Sequence, residues 1–432
     1  MAGWDDATWA ANPTAATKAA RLGGRYRTHW PDALAGRPLV LPNDVGDLAG
    51  RVEASVRRLG ERPGVQGLEG LARFLLRSEA IASSRIEGLQ VSPQQVGLAE
   101  IAEAESLTAA NVTRTARRVA ANIAALRQAT DGLAHSERVS IEGIVELQRL
   151  LLADEPGLHG LRETQNWIGG ANDNPIGAEF VPPAAPRVHP LMADLVTYVN
   201  SGGHAPLVQA AVVHAQFETI HPFRDGNGRV GRALIHTVLV RRGLTSSAVL
   251  PISPVLLTRS QEYVQGLTSY RYEGDAAKPS ATVAVSEWIG VFLNAVGVAV
   301  TQAEAFAASL VELRTGWEHA VARRRRDLDL REVPRVDSAT ARVLETLQEH
   351  PVLTTASVAR MFHVSRHAAT AALEELAGAG VVEKRRLDGR TAGYLAMDVF
   401  DLIGSAERRL ASTRWDTGAA RPSRGVPPRR SD

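Results

Sequence analysis

The stretch His221-Pro222-Phe223-Arg224-Asp225-Gly226-Asn227-Gly228-Arg229-Val230-Gly231-Arg232 decides how this chain is interpreted. It brings together a histidine, a carboxylate, an asparagine, glycines and arginines. Apolar residues recur at helical spacing from 206 to 219 and again from 227 to about 243, which predicts a helix, a tight loop and a second helix. Pro222 cannot continue the first helix, and the glycines permit a sharp turn. The backbone N–H groups of this turn, at a helix N-terminus, predict an anion site.

Three other interpretations of this stretch are weaker. The glycines spell G-x-G-x-x-G, but a dinucleotide-binding fingerprint should follow a strand, and the preceding residues are helical. An ordinary loop with a satisfied histidine and solvated arginines does not account for all these residue types occurring together. A metal site would need four ligands on one helical face, which Pro222 and the glycines interrupt. Those ligands would be His214, Glu218, His221 and Asp225.

The same twelve residues resemble the signature of the Fic (Fic/Doc) family, HPFx[DE]GNGRxxR, with every fixed position filled. The resemblance implies a mainly α fold, a Fic-type helical bundle with a small β-hairpin flap. It also implies protein adenylylation, in which a Ser, Thr or Tyr hydroxyl of a target protein attacks the α-phosphorus of ATP. AMP then stays on the target and pyrophosphate leaves.

The resemblance gives each residue of the motif a role. His221, neutral near pH 7, would act as the general base. Asp225 would bind Mg²⁺, a hard cation that prefers oxygen ligands. Asn227 would assist catalysis by stabilising the α-phosphoryl oxygens. The expected nucleotide-binding residues are Gly226, Asn227, Gly228, Arg229 and Arg232.

A second motif lies well before the first. Ser83-Ser84-Arg85-Ile86-Glu87-Gly88 resembles the inhibitory motif of the family, [ST]xxxE[GN]. Ser83 and Glu87 are spaced to share one face of a helix, and Gly88 is a suitable helix stop. The resemblance implies that Glu87 pairs with Arg232 and holds the enzyme in an off state. Taken alone, the pattern is also that of an ordinary capped helix end.

An alternative activity uses the same site. Glu87 would position a water molecule that removes AMP from a modified target, which would make the chain a de-AMPylating or bifunctional enzyme. A third interpretation is a DNA-binding regulator in which the Fic core senses a nucleotide.

The composition limits the class of protein. The chain has 432 residues, 44% of them hydrophobic, which favours two or three domains with buried cores. Cysteine is absent, which excludes disulfides, a thiolate nucleophile and a cysteine-based zinc site. The N-terminus lacks a signal-peptide pattern and no run of eighteen apolar residues occurs, so we expect a cytoplasmic protein without a membrane partner.

Changes in residue pattern divide the chain. Residues 1 to about 45 are punctuated by glycine, proline and tryptophan and are expected to be irregular. The predicted divisions are an N-terminal helical region (1–110) containing the inhibitory helix (about 79–88), a Fic catalytic core (111–312), a helical basic linker (313–330), a winged-helix domain (331–403) and a disordered tail (404–432).

Two short strands are predicted at 164–168 and 178–181, where the apolar period changes to two. By resemblance this hairpin is the flap, which holds the target segment as an added strand. Arg162, Trp167 and Phe180 are candidate residues there. Tyr263 and Tyr270 stand where the family tends to place adenine-pocket residues, although core packing is the more usual role of buried tyrosines.

After Pro334, helices followed by a hairpin with its turn at Asp388-Gly389 resemble a winged helix-turn-helix domain. The candidate DNA contacts on its third helix are Arg366, His367 and Thr370. The candidate cations on its wing are Lys384, Arg385, Arg386 and Arg390. The same fold also serves as a protein-contact module. By resemblance, a homodimer is a further possible assembly.

Overall fold

The computed structural model describes residues 1–16, 18–61, 69–107, 112–246, 249–388 and 390–413. The described chain is mainly helical, as predicted. Its α-helices, in chain order, are α1 Lys18–Leu22, α2 Asn43–Glu61, α3 Glu69–Ile86, α4 Pro93–Ala104, α5 Arg114–Arg127, α6 Ile141–Leu151, α7 Ala185–Val199, α8 Pro206–Ile220, α9 Asn227–Arg241, α10 Ile252–Thr258, α11 Ser260–Tyr270, α12 Pro279–Asp327, α13 Ala339–Thr346, α14 Thr355–Phe362, α15 Arg366–Gly378 and α16 Met397–Thr413. A π-helical turn at Gln128–Gly132 follows α5.

Helices α8 and α9 form the centre of the fold. Both are buried on every side, from Leu207 to Ile220 and from Asn227 to Val240, although α9 includes the charged residues Arg229 and Arg232. The loop between them carries the motif. The indole N–H of Trp288 in α12 donates to the carbonyl of Ala211 at 2.7 Å and ties α12 to α8. These helices therefore fix both ends of the motif loop in the core.

Helix α12 is long and apolar enough to cross a membrane by length and composition. Its most apolar window has a mean hydropathy of 1.8, and 56% of that window is buried inside the fold. Core helices pass the same test, and Trp288, Phe292 and Leu293 of α12 are fully buried. The burial favours a core helix.

The prediction that residues 1–45 are irregular is wrong for helix α1 and for two strands. Strands β1 Gly3–Trp9 and β2 Gly24–Trp30 pair antiparallel, with Gly3 opposite Trp30. In β2, Tyr26 and Trp30 alternate with polar residues, the period of a half-buried strand, and the frequent tryptophans made this pattern look irregular. β1 has no such alternation. The backbone N–H of His29 donates to the carbonyl of Val181 at 2.9 Å, so β2 lies beside the flap segment.

The flap contains no strand among its described residues, so the prediction of strands at 164–168 and 178–181 is wrong. One isolated bridge joins Ile168 to Phe180. Gly169 and Gly170 have φ of 72° and 74°, which turns the backbone out of an extended conformation directly after Ile168. Side chains hold the rest of the segment: the Trp167 indole donates to the carbonyl of Ala171 at 2.7 Å.

Two predicted boundaries cut through helices. α12 runs unbroken from Pro279 to Asp327, across the expected start of a linker at 313. Within its basic run, Arg325 forms an ion pair of 2.5 Å with Glu375 of α15, so the run is not merely solvated. α16 continues to Thr413, so residues 404–413 of the expected disordered tail are helical. Residues 414–432 of that tail lie outside the described residues.

The C-terminal region combines α13 to α16 with a small sheet. Strands β3 Val352–Thr354, β4 Glu383–Arg386 and β5 Ala392–Leu395 are antiparallel, in the order β3-β5-β4. Gly389, part of the predicted turn between β4 and β5, lies outside the described residues, while Asp388 accepts from the backbone N–H groups of Arg390 and Thr391 at 2.7 Å.

This region packs closely on the N-terminal helices. The hydroxyl of Thr354 donates to the carboxylate of Glu105, which follows α4, at 2.8 Å. A Cβ at Gly97 of α4 would lie 2.8 Å from the Phe400 ring and 3.1 Å from Val352. The C-terminal region is therefore joined to the rest of the fold by direct contacts.

Candidate active site

His221 terminates α8 in the left-handed region, with φ 49° and ψ 60°. This conformation is uncommon for a residue with a side chain and costs free energy. Arg162 compensates for this cost. The Nε of its buried guanidinium donates to the carbonyl of His221 at 2.9 Å, and the backbone N–H of Arg162 donates to the carbonyl of Pro222 at 2.8 Å. Arg162, considered earlier as a flap residue, therefore fixes the orientation of His221.

The imidazole of His221 is neutral at pH 7. Burial lowers its pKa to about 4, and the positive charge of Arg162 acts in the same direction. Its side chain is still 18% exposed. A neutral ring that solvent can reach is suited to accept a proton.

Asn227 holds the loop that follows His221. Its Oδ1 accepts from the backbone N–H of Phe223 at 2.8 Å, and its Nδ2 donates to the carbonyl of the same residue at 2.9 Å. Asn166 donates to that carbonyl as well, at 2.8 Å. Asn227 therefore positions the loop here, and an amide NH₂ has one further N–H to offer a ligand.

Asp225 lies at the entrance of the site, with 41% of its side chain exposed. Its Oδ1 accepts from the backbone N–H of Gly226 at 2.6 Å, and its Oδ2 accepts from Arg118 of α5 at 3.1 Å. Gly226 has φ 88° and begins α9. An exposed carboxylate of this kind fits Mg²⁺, which commonly takes one or two protein carboxylates together with phosphate oxygens.

The cluster considered as a four-ligand metal site does not form. Among the described residues, no group of three or more His, Asp and Glu side chains is arranged to hold a metal ion. His214 instead contacts the hydroxyl of Tyr263 through Nε2 at 2.8 Å. Tyr263 and Tyr270 are both buried, and the hydroxyl of Tyr270 donates to Gln216 at 2.9 Å. Both tyrosines thus have core contacts.

Arg229 is almost completely buried, yet no described residue accepts a hydrogen bond from its Nε or Nη1. Its Nη2 lies 3.6 Å from Asp225 Oδ1. Burial lowers the pKa of Arg229, but a guanidinium stays charged. A buried charge with unused donors is costly, and an anionic ligand would satisfy it.

Arg232 is held by Ser83 of α3 and by Glu87, which directly follows this helix. Its Nη2 donates to Glu87 Oε1 at 2.7 Å and to the carbonyl of Ser83 at 2.8 Å, and its Nε donates to Ser83 Oγ at 2.9 Å. Burial alone would raise the pKa of Glu87, but the charge of Arg232 outweighs it and lowers this pKa. Glu87 is therefore ionised at neutral pH.

Glu87 follows the last residue of α3, Ile86. Gly88 has φ 78°, its N–H donates to Arg85, and the N–H of Leu89 donates to Ser84 at 3.0 Å, a Schellman-type helix end. A Cβ at Gly228 would overlap Glu87 Oε1. The carboxylate thus rests directly on the first turn of α9, where an anion is favoured.

Sequence reasoning missed one residue of the site, Arg118, and considered another, Glu218, only as a metal ligand. Arg118 reaches Asp225 from 107 positions away, and no local pattern indicates such a contact. Glu218 lies 3.9 Å from His221 Nδ1, and its i, i+3 spacing to the histidine was a usable signal.

The candidate DNA contacts differ in solvent exposure. Arg366 and His367 are exposed at the start of α15, while Thr370 is half-buried with its hydroxyl 3.2 Å from that of Thr355. On the wing, Lys384 pairs with Glu374 and Arg385 pairs with Glu383. Acidic partners therefore offset part of the positive charge expected there.

Comparison with known proteins gives two family matches. Residues 138–239, which include the motif loop, match the Fic/DOC family, and residues 61–131, which include Ser83 and Glu87, match the Fic/DOC family N-terminal model.

Similar proteins carry related names. A probable protein adenylyltransferase of Aquifex aeolicus is 32% identical over 182 residues, 42% of this chain and 53% of that protein. The protein adenylyltransferase fic-1 of Caenorhabditis briggsae is 32% identical over 130 residues, 29% of this chain and 23% of that protein. The chain thus spans about half or less of the length of these relatives. A Fic family protein structure from Desulfovibrio desulfuricans aligns over 83% of this chain and 97% of its own, with 21% identity and a TM-score of 0.47.

Proposed function

We propose that this chain, which belongs to the Fic/DOC family, transfers AMP from ATP to a hydroxyl group of a protein target and is auto-inhibited by Glu87. One observation carries the proposal: a carboxylate of the chain itself occupies an arginine-lined anion site beside a neutral histidine. The names of the relatives support the same reaction class.

Arg229, Arg232 and the first turn of α9 supply the charge that a triphosphate needs. Arg229 has two unused donor atoms, and the first backbone N–H groups of a helix have no partner within it. Two guanidiniums one helical turn apart match the β- and γ-phosphates. The exchange of Glu87 for the γ-phosphate at Arg232 then replaces one anion by another.

The chemical step falls to His221. Its imidazole takes the proton of the target hydroxyl while the hydroxyl oxygen attacks the α-phosphorus. The bond from the α-phosphorus to the bridging oxygen breaks, and pyrophosphate leaves with its electron pair. Such a base contributes roughly 10²–10⁴-fold. Asp225 would hold Mg²⁺, which supplies charge neutralisation to the phosphates when bound.

Auto-inhibition follows from the shared guanidinium. While Glu87 accepts from Arg232, the γ-phosphate of ATP lacks its partner, so the α-phosphate is not held for in-line attack. We therefore expect slow transfer in the wild type.

The target segment is expected along the flap. Leu161 forms an isolated β-bridge with Phe223 of the motif loop, and the ring centroids of Trp167 and Trp9 are 5.5 Å apart. The strand pair β1–β2 therefore packs against the flap. Ile168 uses both its N–H and its carbonyl on the Glu179–Phe180 segment, so an extended peptide would pair with the residues next to Ile168 along the flap.

The test is an ATP- and Mg²⁺-dependent mass-shift assay of self-modification. Wild type, Glu87→Gly and the double variant Glu87→Gly/His221→Ala are compared. We expect strong labelling of the single variant, weak labelling of the wild type and none of the double variant. Absence of any AMP adduct in Glu87→Gly contradicts the proposed transfer, and equal labelling of the first two contradicts auto-inhibition.

Removal of AMP is a second candidate activity. The side chain of Glu87 is 37% exposed, so water can reach its carboxylate while it contacts Arg232. Wild type would then release AMP from modified Glu87→Gly protein, and Glu87→Gln would not. Stable adducts in the presence of wild type would exclude this activity.

For the C-terminal region we propose a winged-helix domain that contacts DNA through Arg366 and His367. Their exposure at the start of α15 supports the proposal. Because this region packs on α4 and α12, the gel-shift test uses the full chain. Binding at low salt that Arg366→Ala weakens is expected, since phosphate contacts are strongest there. No binding at low salt would leave a protein-contact module as the interpretation.

A further inference from the structure

Glu218 is a buried carboxyl group without an evident structural role. It lies on α8, one turn before His221, and its side chain is 9% exposed. Among the described residues, none donates a hydrogen bond to its Oε1. A buried carboxyl without donors is costly, so packing alone would favour an apolar residue.

The space for this carboxyl depends on Gly231. A Cβ at that position would lie 2.6 Å from Glu218 Oε1 and 3.2 Å from His214 Nδ1. Helix α9 therefore approaches α8 through a glycine and leaves the carboxyl between the two helices. From there Oε2 faces His221 Nδ1 at 3.9 Å.

Other charged and titratable groups face Glu218 from each neighbouring element. Burial raises the pKa of Glu218 to about 7, and the negative charge of Glu87 acts in the same direction. The positive charges of Arg232 and Arg271 oppose the increase. Glu218 in turn adds to the raised pKa of Tyr263 on α11.

We propose that Glu218 is a positioning residue for His221, whose carboxylate stabilises the imidazolium that forms during transfer. This inference rests on the proposed function. The target hydroxyl gives its proton to Nε2, its oxygen bonds to the α-phosphorus, and pyrophosphate leaves with the electrons of the broken P–O bond. The ring is then positive with Nδ1–H towards Glu218. The proton later passes from Nε2 to solvent or pyrophosphate.

The arrangement resembles a base oriented by a third group. The backbone carbonyl of Glu218 also faces the ring and raises the pKa of His221, so carbonyl and carboxylate act in the same direction. Only the carboxylate changes charge with pH. The active form then has neutral His221 and ionised Glu218, so transfer should rise with pH through the range near 7.

The kinetic test uses Glu87→Gly as the active parent and adds Glu218→Gln, which keeps the volume and removes the charge. We expect kcat for self-modification to fall about tenfold or more, equivalent to one pKa unit of imidazolium stabilisation, with KM for ATP nearly unchanged. Without Glu87 the pKa of Glu218 in this parent lies below its wild-type value, and the rise of kcat with pH through that lower range should also disappear. An unchanged kcat and pH profile would overturn the inference.

Two further measurements distinguish the loss of the Glu218 carboxylate from misfolding and from a failure of the proposed AMP transfer. In Glu218→Ala, formate should restore part of kcat, and failure of formate with an intact fold counts against the carboxylate. Independently of activity, ¹⁵N-histidine spectra at pH 8 should report the Nδ1–H tautomer of His221 in the parent and a weaker preference in Glu218→Gln. Identical tautomer populations would overturn the inference even if no AMP transfer occurs in any variant.

Discussion

Arg77 of α3 donates a hydrogen bond of 2.8 Å to the backbone carbonyl of Glu349, which precedes β3. The helix that ends at Glu87 is therefore anchored directly to the C-terminal region. The same guanidinium donates to Glu100 of α4 through Nε at 2.7 Å. A single buried side chain thus connects three parts of the chain.

Arg77→Ala is expected to lower the free energy of unfolding by about 3 kcal/mol, because it leaves Glu100 and a buried carbonyl without their partner. Urea unfolding measures this. Arg149→Ala in α6 is the control: Arg149 is 53% exposed and its partner Glu146 is 49% exposed, so their ion pair should contribute less than about 1 kcal/mol. Equal losses in both variants would contradict the role of Arg77 as an anchor.

Ser83→Ala should raise AMP transfer above wild type, though less than Glu87→Gly. It removes the hydroxyl that accepts from Arg232 Nε and leaves the Glu87 contact in place. Ser84→Ala is the control, since Ser84 is equally buried but bonds Asn122 at 3.1 Å. Both variants should lose about 1 kcal/mol of stability, and only the first should gain activity. A gain in both would assign the effect to general loosening of α3.

Gly228→Ala should destabilise the wild type by about 1–3 kcal/mol, because the added methyl group overlaps Glu87 Oε1. In the Glu87→Gly background the overlap with Glu87 disappears and only the far end of the Arg232 side chain, with Nη1 at 2.9 Å, remains close, so the loss should shrink. A double-mutant cycle measures this coupling. Gly290→Ala in α12, with open space around its position, should instead stabilise by about 0.5–1 kcal/mol. Additive effects of the two site substitutions would contradict the contact.

The free energy of unfolding should decrease at acid pH because His214 is buried in its neutral form. Burial lowers its pKa to about 3, with Arg232 acting in the same direction, whereas the unfolded chain has the ordinary value of 6.5. Between these values the unfolded state binds the extra proton, so the free energy of unfolding decreases as pH falls, by up to about 1.4 kcal/mol per unit. In His214→Gln, urea unfolding at pH 5 and pH 7 should differ less than in wild type. An undiminished difference would remove His214 as a cause.

The sequence predicted the helices around the motif because their apolar residues recur at helical spacing and the loop holds proline and glycine. It also indicated that Ser83 and Glu87 act together, but only the family resemblance connected them to Arg232. Glu87 and Arg232 stand 145 positions apart, and no periodicity encodes a contact across that distance.

The errors have identifiable physical causes. In β2 the alternation was overlooked because tryptophans are frequent throughout this region, and in β1 no regular alternation is present. In the flap, consecutive glycines with positive φ outweighed the strand preference of the neighbouring residues. Arg118 reached Asp225 through tertiary packing of α5, which leaves no trace in the local sequence around either residue.

The Schellman-type end of α3 has a consequence for activation. Glu87 stands just beyond the helix, and the hydrogen bonds that fix it come from Gly88 and Leu89. Fraying of this last turn would therefore take Glu87 away from Arg232, while Ser83 and the buried body of α3 stay in place and Ser83 keeps its two hydrogen bonds with the guanidinium. Under the proposed auto-inhibition, we expect an activator to bind this frayed end, and inhibition to return when the turn forms again.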